Sequence, residues 1–127
     1  MTMEQNMVGW FEIPVLDMER AKAFYDKVFQ IEIQVQDFAG TLMGWFPWAE
    51  GKAGASGSLI QNKAYEPSNT AGVLIYFSSQ DLQQELDRVI EAGGKILNQK
   101  TQISPDVGYM GVFEDTEGNR IALHSRA

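Results

Sequence analysis

The chain has 127 residues, 44% of them hydrophobic and 21% charged, with no cysteine, one histidine and a formal net charge of −7. That length buries roughly two-thirds of the surface an unfolded chain exposes, enough for one compact unit or two small modules sharing a core. The acidic balance with only ten scattered basic residues argues against nucleic acid or a membrane as partner, no apolar run approaches the ~20 residues of a membrane helix, and neither disulfides nor thiolate metal sites can form.

The opening stretch MTMEQNMVGWFEIP has no basic segment leading into an apolar one, so it is not read as a signal peptide, and the cytoplasm is the expected compartment. Residues 8–15, rich in aromatic and β-branched side chains, predict a strand. Asp17 then stands where a helix N-cap is expected, and Ala21, Phe24, Tyr25 and Val28 follow at helical spacing. Strand-like runs come next at 31–38, 41–46 and about 55–61, separated by Ala39-Gly40 and by a turn segment at 49–54. Residues 62–72 (NKAYEPSNTAG) read as a linker. The order then repeats: a strand at 73–79, an Asp81 cap, a helix carrying Leu82, Leu86, Val89 and Ile90 that ends at Gly93-Gly94, and strands at 95–103, 109–114 and 119–125.

The two caps are 64 residues apart, and every other element keeps close to that offset. The chain is therefore a duplicated β-α-β-β-β unit, with module one at about 7–61 and module two at about 73–126 of a single 1–127 domain. One such module is too small to bury a helix and both faces of its sheet. The expected fold is α+β: two βαβββ modules with paired curved sheets enclosing a cavity and helices on the outside.

This order resembles the vicinal oxygen chelate superfamily, the glyoxalase/bleomycin resistance/dioxygenase group. The likeness is carried by EIPVLDMERAKAFYDKVF (12–29), RVIEAGGKI (88–96) and GVFEDTEGNRIALHS (111–125), and it covers nearly the whole chain. The last stretch is similar to the family's late hairpin, with Thr116 where proline is common. The resemblance identifies a fold that carries several unrelated chemistries, so it implies a family and no single activity.

The resemblance also implies where a divalent metal would be held: a His or Gln in the first strand of each module and a Glu in the last. Those positions are Trp10, Leu74 and Ala122, with Ser58 as the remaining counterpart, and the first three offer no usable donor. No metal and no cofactor are expected. Glu12 and His124 each lie two residues beyond such a position, on the same strand face and about 6.8 Å along. Both are candidate catalytic groups. Glu12 reads equally as a general base or ligand anchor and as a structural partner for a backbone N–H, a Tyr or Arg120. His124 reads as an acid/base group or as a solvated strand end.

Strand alternation places Trp10 and Glu12 on one face of the first strand, opposite Phe11, Ile13 and Val15. Trp10, Glu12, Trp45, Tyr76 and Tyr109 are the expected ligand-binding residues, with core packing and a dimer surface as the competing uses of the aromatics. Which face of the 41–46 strand points inward is left open. The leading expectation is a metal-free small-molecule-binding, sequestering protein, homodimeric as the resemblance implies. The alternative is a lyase, isomerase or dioxygenase of the same superfamily, metal-dependent or using Glu12 and His124 as acid and base.

Overall fold

The computed structural model describes residues 6–127, so the start of the stretch not read as a signal peptide, residues 1–5, lies outside the described residues. The element order is β1 (Phe11–Pro14), α1 (Met18–Phe29), β2 (Gln34–Phe38), β3 (Thr41–Trp45), β4 (Gly57–Gln61), β5 (Tyr76–Ser79), α2 (Leu82–Ala92), β6 (Lys95–Ser104), β7 (Gly108–Glu114) and β8 (Arg120–Ser125). This is the duplicated βαβββ order. It forms two four-stranded sheets, β1-β4-β3-β2 and β5-β8-β7-β6, with no closed barrel. In each sheet the first and last strands of a module run parallel, and the other neighbours are antiparallel.

Both helices begin as the sequence dictates. The Asp17 side chain accepts a hydrogen bond from the Arg20 N–H at 3.1 Å, and Asp81 accepts one from the Gln83 N–H at 3.1 Å. Gly93 ends α2 in the left-handed region at φ 103°, where glycine carries no Cβ penalty, whereas Gln30 takes that role for α1. The buried stripe of α1, formed by Met18, Ala21, Phe24, Tyr25 and Val28, packs with Leu82, Leu86 and Val89 of α2 into one core. Ile13, Val15 and Leu59 reach that core from the first sheet, and Phe113, Ile121 and Leu123 from the second. Each fully buried apolar side chain of this size stabilises by about 1.5–3 kcal/mol.

Where the modules meet, aromatic rings fill the seam. Phe77 of β5 lies 4.7 Å from Phe29, 5.5 Å from Phe46 and 5.6 Å from Phe11, centroid to centroid. Gly57 is required here: a Cβ on it would sit 2.3 Å from the Phe11 carbonyl oxygen and 2.6 Å from the Phe11 ring. The bare backbone of β4 therefore lets Phe11 lie inward.

A buried polar clasp joins the β7–β8 turn to the start of α1. Glu117 Oε1 accepts from the backbone N–H groups of Leu16 at 2.7 Å and Asp17 at 2.8 Å, and Arg20 Nε donates to Oε2 at 2.7 Å. Asn119 Nδ2 donates to the Pro14 carbonyl at 2.7 Å, and the Tyr25 hydroxyl donates to Asp115 Oδ2 at 2.7 Å. Burial raises the Glu117 pKa, but the Arg20 and backbone hydrogen bonds outweigh it and hold the carboxyl below its ordinary value. At Asp115 burial wins over its hydrogen bonds, and the pKa is raised. Tyr25, fully buried beside that carboxylate, is pushed well above the ordinary phenol range by burial and by the Asp115 charge. Through Pro14, Leu16 and Asp17, the clasp sets the strand that carries Trp10 and Glu12.

Candidate functional site

An open groove of about 1020 Å³ runs along the seam between the first strands of the two modules. Its floor is apolar, made by Phe11, Phe29, Ile31, Phe46, Ile75 and Phe77, side chains that also pack against the core. Its rims carry Trp10 and Glu12 on one side and Tyr76 and Ser78 on the other. The connection between β3 and β4 closes one end with Pro47, Trp48 and the Gly/Ala-rich residues 49–55. Trp48 is 62% exposed, so its indole stands mostly in solvent at the mouth.

Residues preceding β1 and β5 shape this groove. The sequence predicts strand from residue 8 and residue 73, but pairing begins only at Phe11 and Tyr76. Each segment precedes an edge strand whose one hydrogen-bonded neighbour is β4 or β8. Met7, Val8 and Val73 are left exposed, Val73 to 88%, whereas Leu74 and Ile75 are half-buried.

Register decides the faces that alternation alone left open. Glu12 lies opposite Ser58, and Ser58 lies opposite Trp45, so these three side chains share the outer face of the first sheet. Met43 and Ile60 occupy the next row of the same face. Trp10 and Trp45 meet edge to face, with ring centroids 5.6 Å apart, and Phe38 stacks on Trp45 at 6.3 Å. Glu12 is exposed on an edge strand, so its carboxylate avoids the burial that parity with Trp10 suggests, and no ion pair engages it among the described residues.

The remaining candidates lie in the second sheet. His124 is opposite Ser78 and Met110 on the outer face, with Nε2 2.7 Å from the Val107 carbonyl oxygen. A contact with a carbonyl requires that nitrogen to carry the proton, which leaves Nδ1 as the remaining ring nitrogen. Tyr109 packs against the core cluster, and Lys100 Nζ sits 4.6 Å from its ring centroid. Lys100 also pairs with the Asp81 cap at 2.9 Å, and that hydrogen bond, with the Gln83 N–H, lowers the Asp81 pKa. The structure thus brings Trp10, Glu12 and Tyr76 to one groove and links Trp45 to them through Trp10. It places Tyr109 and His124 elsewhere, and no hydrogen bond joins His124 to Glu12 among the described residues.

The donor set does not suit a metal ion. Ser58 lies between Glu12 and Trp45, Ala122 lies opposite Tyr76, and among the described residues no three His, Cys, Asp or Glu side chains converge. Two features escape the first reading of the sequence. The clasp residues Asp115, Glu117 and Asn119 look like ordinary turn residues, although three polar side chains within five positions are a signal. The second is Ser58, whose hydroxyl is fully buried and has no hydrogen-bond partner. The 64-residue offset pairs it with Ala122, which marks the position without revealing its burial.

Comparison with known proteins agrees with this architecture. A glyoxylase-like domain-containing protein of Didymella fabae is 28% identical over 126 residues, covering 95% of this chain and 94% of that one. TnmS3, an antibiotic binding protein from Streptomyces sp. CB03234, superposes with a TM-score of 0.70 at 24% identity, over 99% of this chain and all of that one (100%). Maize glyoxalase I, as its E144Q mutant, gives a TM-score of 0.73 at 20% identity; 93% of this chain is covered, but only 46% of the maize chain. At such identities the structural likeness establishes the fold. The family model described as Glyoxalase/Bleomycin resistance protein/Dioxygenase superfamily matches residues 7–123, and the chain belongs to that superfamily.

Proposed function

We propose that this chain is a small-molecule-binding protein that holds an aromatic or amphipathic ligand without a metal ion. The observation that carries the reading is the seam groove, about 1020 Å³ in volume, with a phenylalanine floor and with Trp10, Glu12 and Tyr76 on its rims. An apolar concavity with a few polar groups at its edge is the usual chemistry of a small-molecule site. A net charge of −7 favours cationic over anionic ligands at long range. The antibiotic binding protein among the structural neighbours supports a sequestering role on this fold.

The protein acts as a homodimer in this reading. Met7, Val8 and Val73 are exposed apolar residues beside two sheet edges that still have free backbone groups, and a second copy covers them. Light scattering on a purified sample checks it, with twice the chain mass expected and a monomer opposing it.

The functional test has two parts. Protein incubated with Zn, Ni, Mn or Fe(II) and then exhaustively exchanged is expected to retain no stoichiometric metal. One tightly held ion per chain would replace this reading with a metal-dependent lyase, isomerase or dioxygenase. Titration with planar cationic aromatics is expected to quench tryptophan fluorescence, and Trp10→Ala is expected to weaken that binding at least tenfold.

A further inference from the structure

Trp10 and Trp45 come from strands that are not neighbours. Trp10 immediately precedes β1, Trp45 ends β3, and β4 runs between them. Strands two apart in a sheet are separated by about 9.6 Å, twice the usual spacing. The two ring centroids are nevertheless only 5.6 Å apart. Both indoles therefore lean over β4, and the residue of β4 directly opposite Trp45 is Ser58. Ser58 is 0% exposed, although Trp10 and Trp45, at 42% and 39%, are not themselves buried. Its Oγ is the one buried side-chain polar atom among the described residues without a hydrogen-bond partner. An orphaned hydroxyl costs free energy in the closed state, and a group that reaches it recovers that cost.

We infer that Trp10 and Trp45 form a movable roof over a polar subsite made by Ser58 and Glu12, and that this subsite takes the ammonium end of a planar arylalkyl amine. Glu12 lies directly opposite Ser58 on the same face, so a group under the roof meets a carboxylate on one side and a hydroxyl on the other. A carboxylate only accepts hydrogen bonds, which selects a donor, and an indole face favours a cation over a neutral group. Both rings already stand partly in solvent, and an aromatic ligand replaces their mutual contact with stacking. The inference rests on the small-molecule reading above and assigns its polar anchor.

A chain without cysteine allows a direct test. In Ser58→Cys, alkylation by iodoacetamide is expected to be at least tenfold slower than in Glu91→Cys, whose side chain is solvent-exposed on α2. Adding Trp10→Ala or Trp45→Ala is expected to bring the rate to within about threefold of that control, whereas Trp48→Ala leaves it slow. Should either truncation unfold the chain, Trp10→Leu and Trp45→Leu serve instead, since leucine cannot span the gap over β4. Fast alkylation with both indoles present, or slow alkylation after removing each, would overturn the roof. The ligand class is read with benzylamine: it is expected to protect Ser58→Cys from alkylation and to bind wild-type protein at least tenfold more tightly than Glu12→Gln or Ser58→Ala, with benzyl alcohol weaker. Equal binding to those variants, or no benzylamine binding while the roof test succeeds, would overturn the ammonium assignment. Quenching by benzylamine that needs Trp10 but ignores Ser58 and Glu12 would refute the subsite and leave the groove reading standing.

Discussion

The two modules share a backbone plan and differ in what they place on it. In the first, the row across the sheet reads Glu12, Ser58, Trp45; in the second, the corresponding row reads Tyr76, Ala122, Val112. The first row carries a carboxylate, a hydroxyl and an indole, and the second a single polar group, the Tyr76 hydroxyl at its edge. The turns before the last strands differ in the opposite sense. The second module has the buried DTEGN clasp, whereas the first has the exposed, Gly/Ala-rich residues 49–55 at the groove mouth. The repeat thus divides its parts: one half carries the polar and aromatic row, and the other holds the end of the strand that bears Glu12.

The largest expected effect is at Gly57, whose counterpart by the repeat is Ile121. Because Phe11 occupies the space a Cβ would need, Gly57→Ala is expected to destabilise by about 3 kcal/mol, read as a shift in denaturant midpoint. Next comes the clasp. Glu117→Gln is expected to cost about 2 kcal/mol at pH 7, because the amide oxygen can keep both backbone N–H groups but the amide nitrogen, a donor, then faces the Arg20 Nε–H and brings no charge to pair with it. The Glu117 pKa is lowered on folding, so its contribution is present above the ordinary carboxyl range and lost as pH falls through the lowered value. The stability difference between wild type and Glu117→Gln should therefore close below about pH 4. Asp115, raised on folding, works in the opposite direction, contributing at low pH and losing that contribution as pH rises through its raised value. A difference that stays constant down to pH 3 would mean that Glu117 acts through packing alone.

Two smaller exchanges test the rows themselves. Ala122→Ser puts a hydroxyl into a fully buried site and is expected to cost about 1 kcal/mol. Ser58→Ala removes an orphaned one and is expected to leave thermal stability unchanged or raised by a fraction of that. If Ser58→Ala instead destabilises as much as Ala122→Ser, the two rows are equivalent in packing and the contrast between modules fails.

Local signals made the helices and the repeat legible. Asp17 and Asp81 act within one turn of their own positions, and the 64-residue offset carried Glu12–Ser58 onto Tyr76–Ala122 without error. The same offset from Trp45 lands on Tyr109, but Val112 is the residue that shares the row. The longer β6, with its register shifts, absorbs the difference, and Tyr109 goes to the core side. The strand starts were overextended because composition records the tendency of residues 8–10 and 73–75 to be extended, while pairing depends on a neighbour that lies far away in sequence. Parity placed Glu12 with Trp10 correctly, and its exposure follows from β1 being an edge strand, a fact of sheet order that alternation does not contain. The clasp was least legible, since nothing near Glu117 in sequence shows that its partners are Leu16, Asp17 and Arg20.

That separation has a consequence for the order in which the protein can be made. The backbone groups at the start of α1 wait for a carboxylate about 100 positions later in the chain. During synthesis at about 5–20 residues per second, the first module emerges complete in sequence yet cannot close its own helix entrance until the final hairpin has left the ribosome. The nascent half, with its phenylalanines facing an empty seam, spends several seconds as an unfinished unit. The contacts that fix its helix entrance are completed only by residues 117–119.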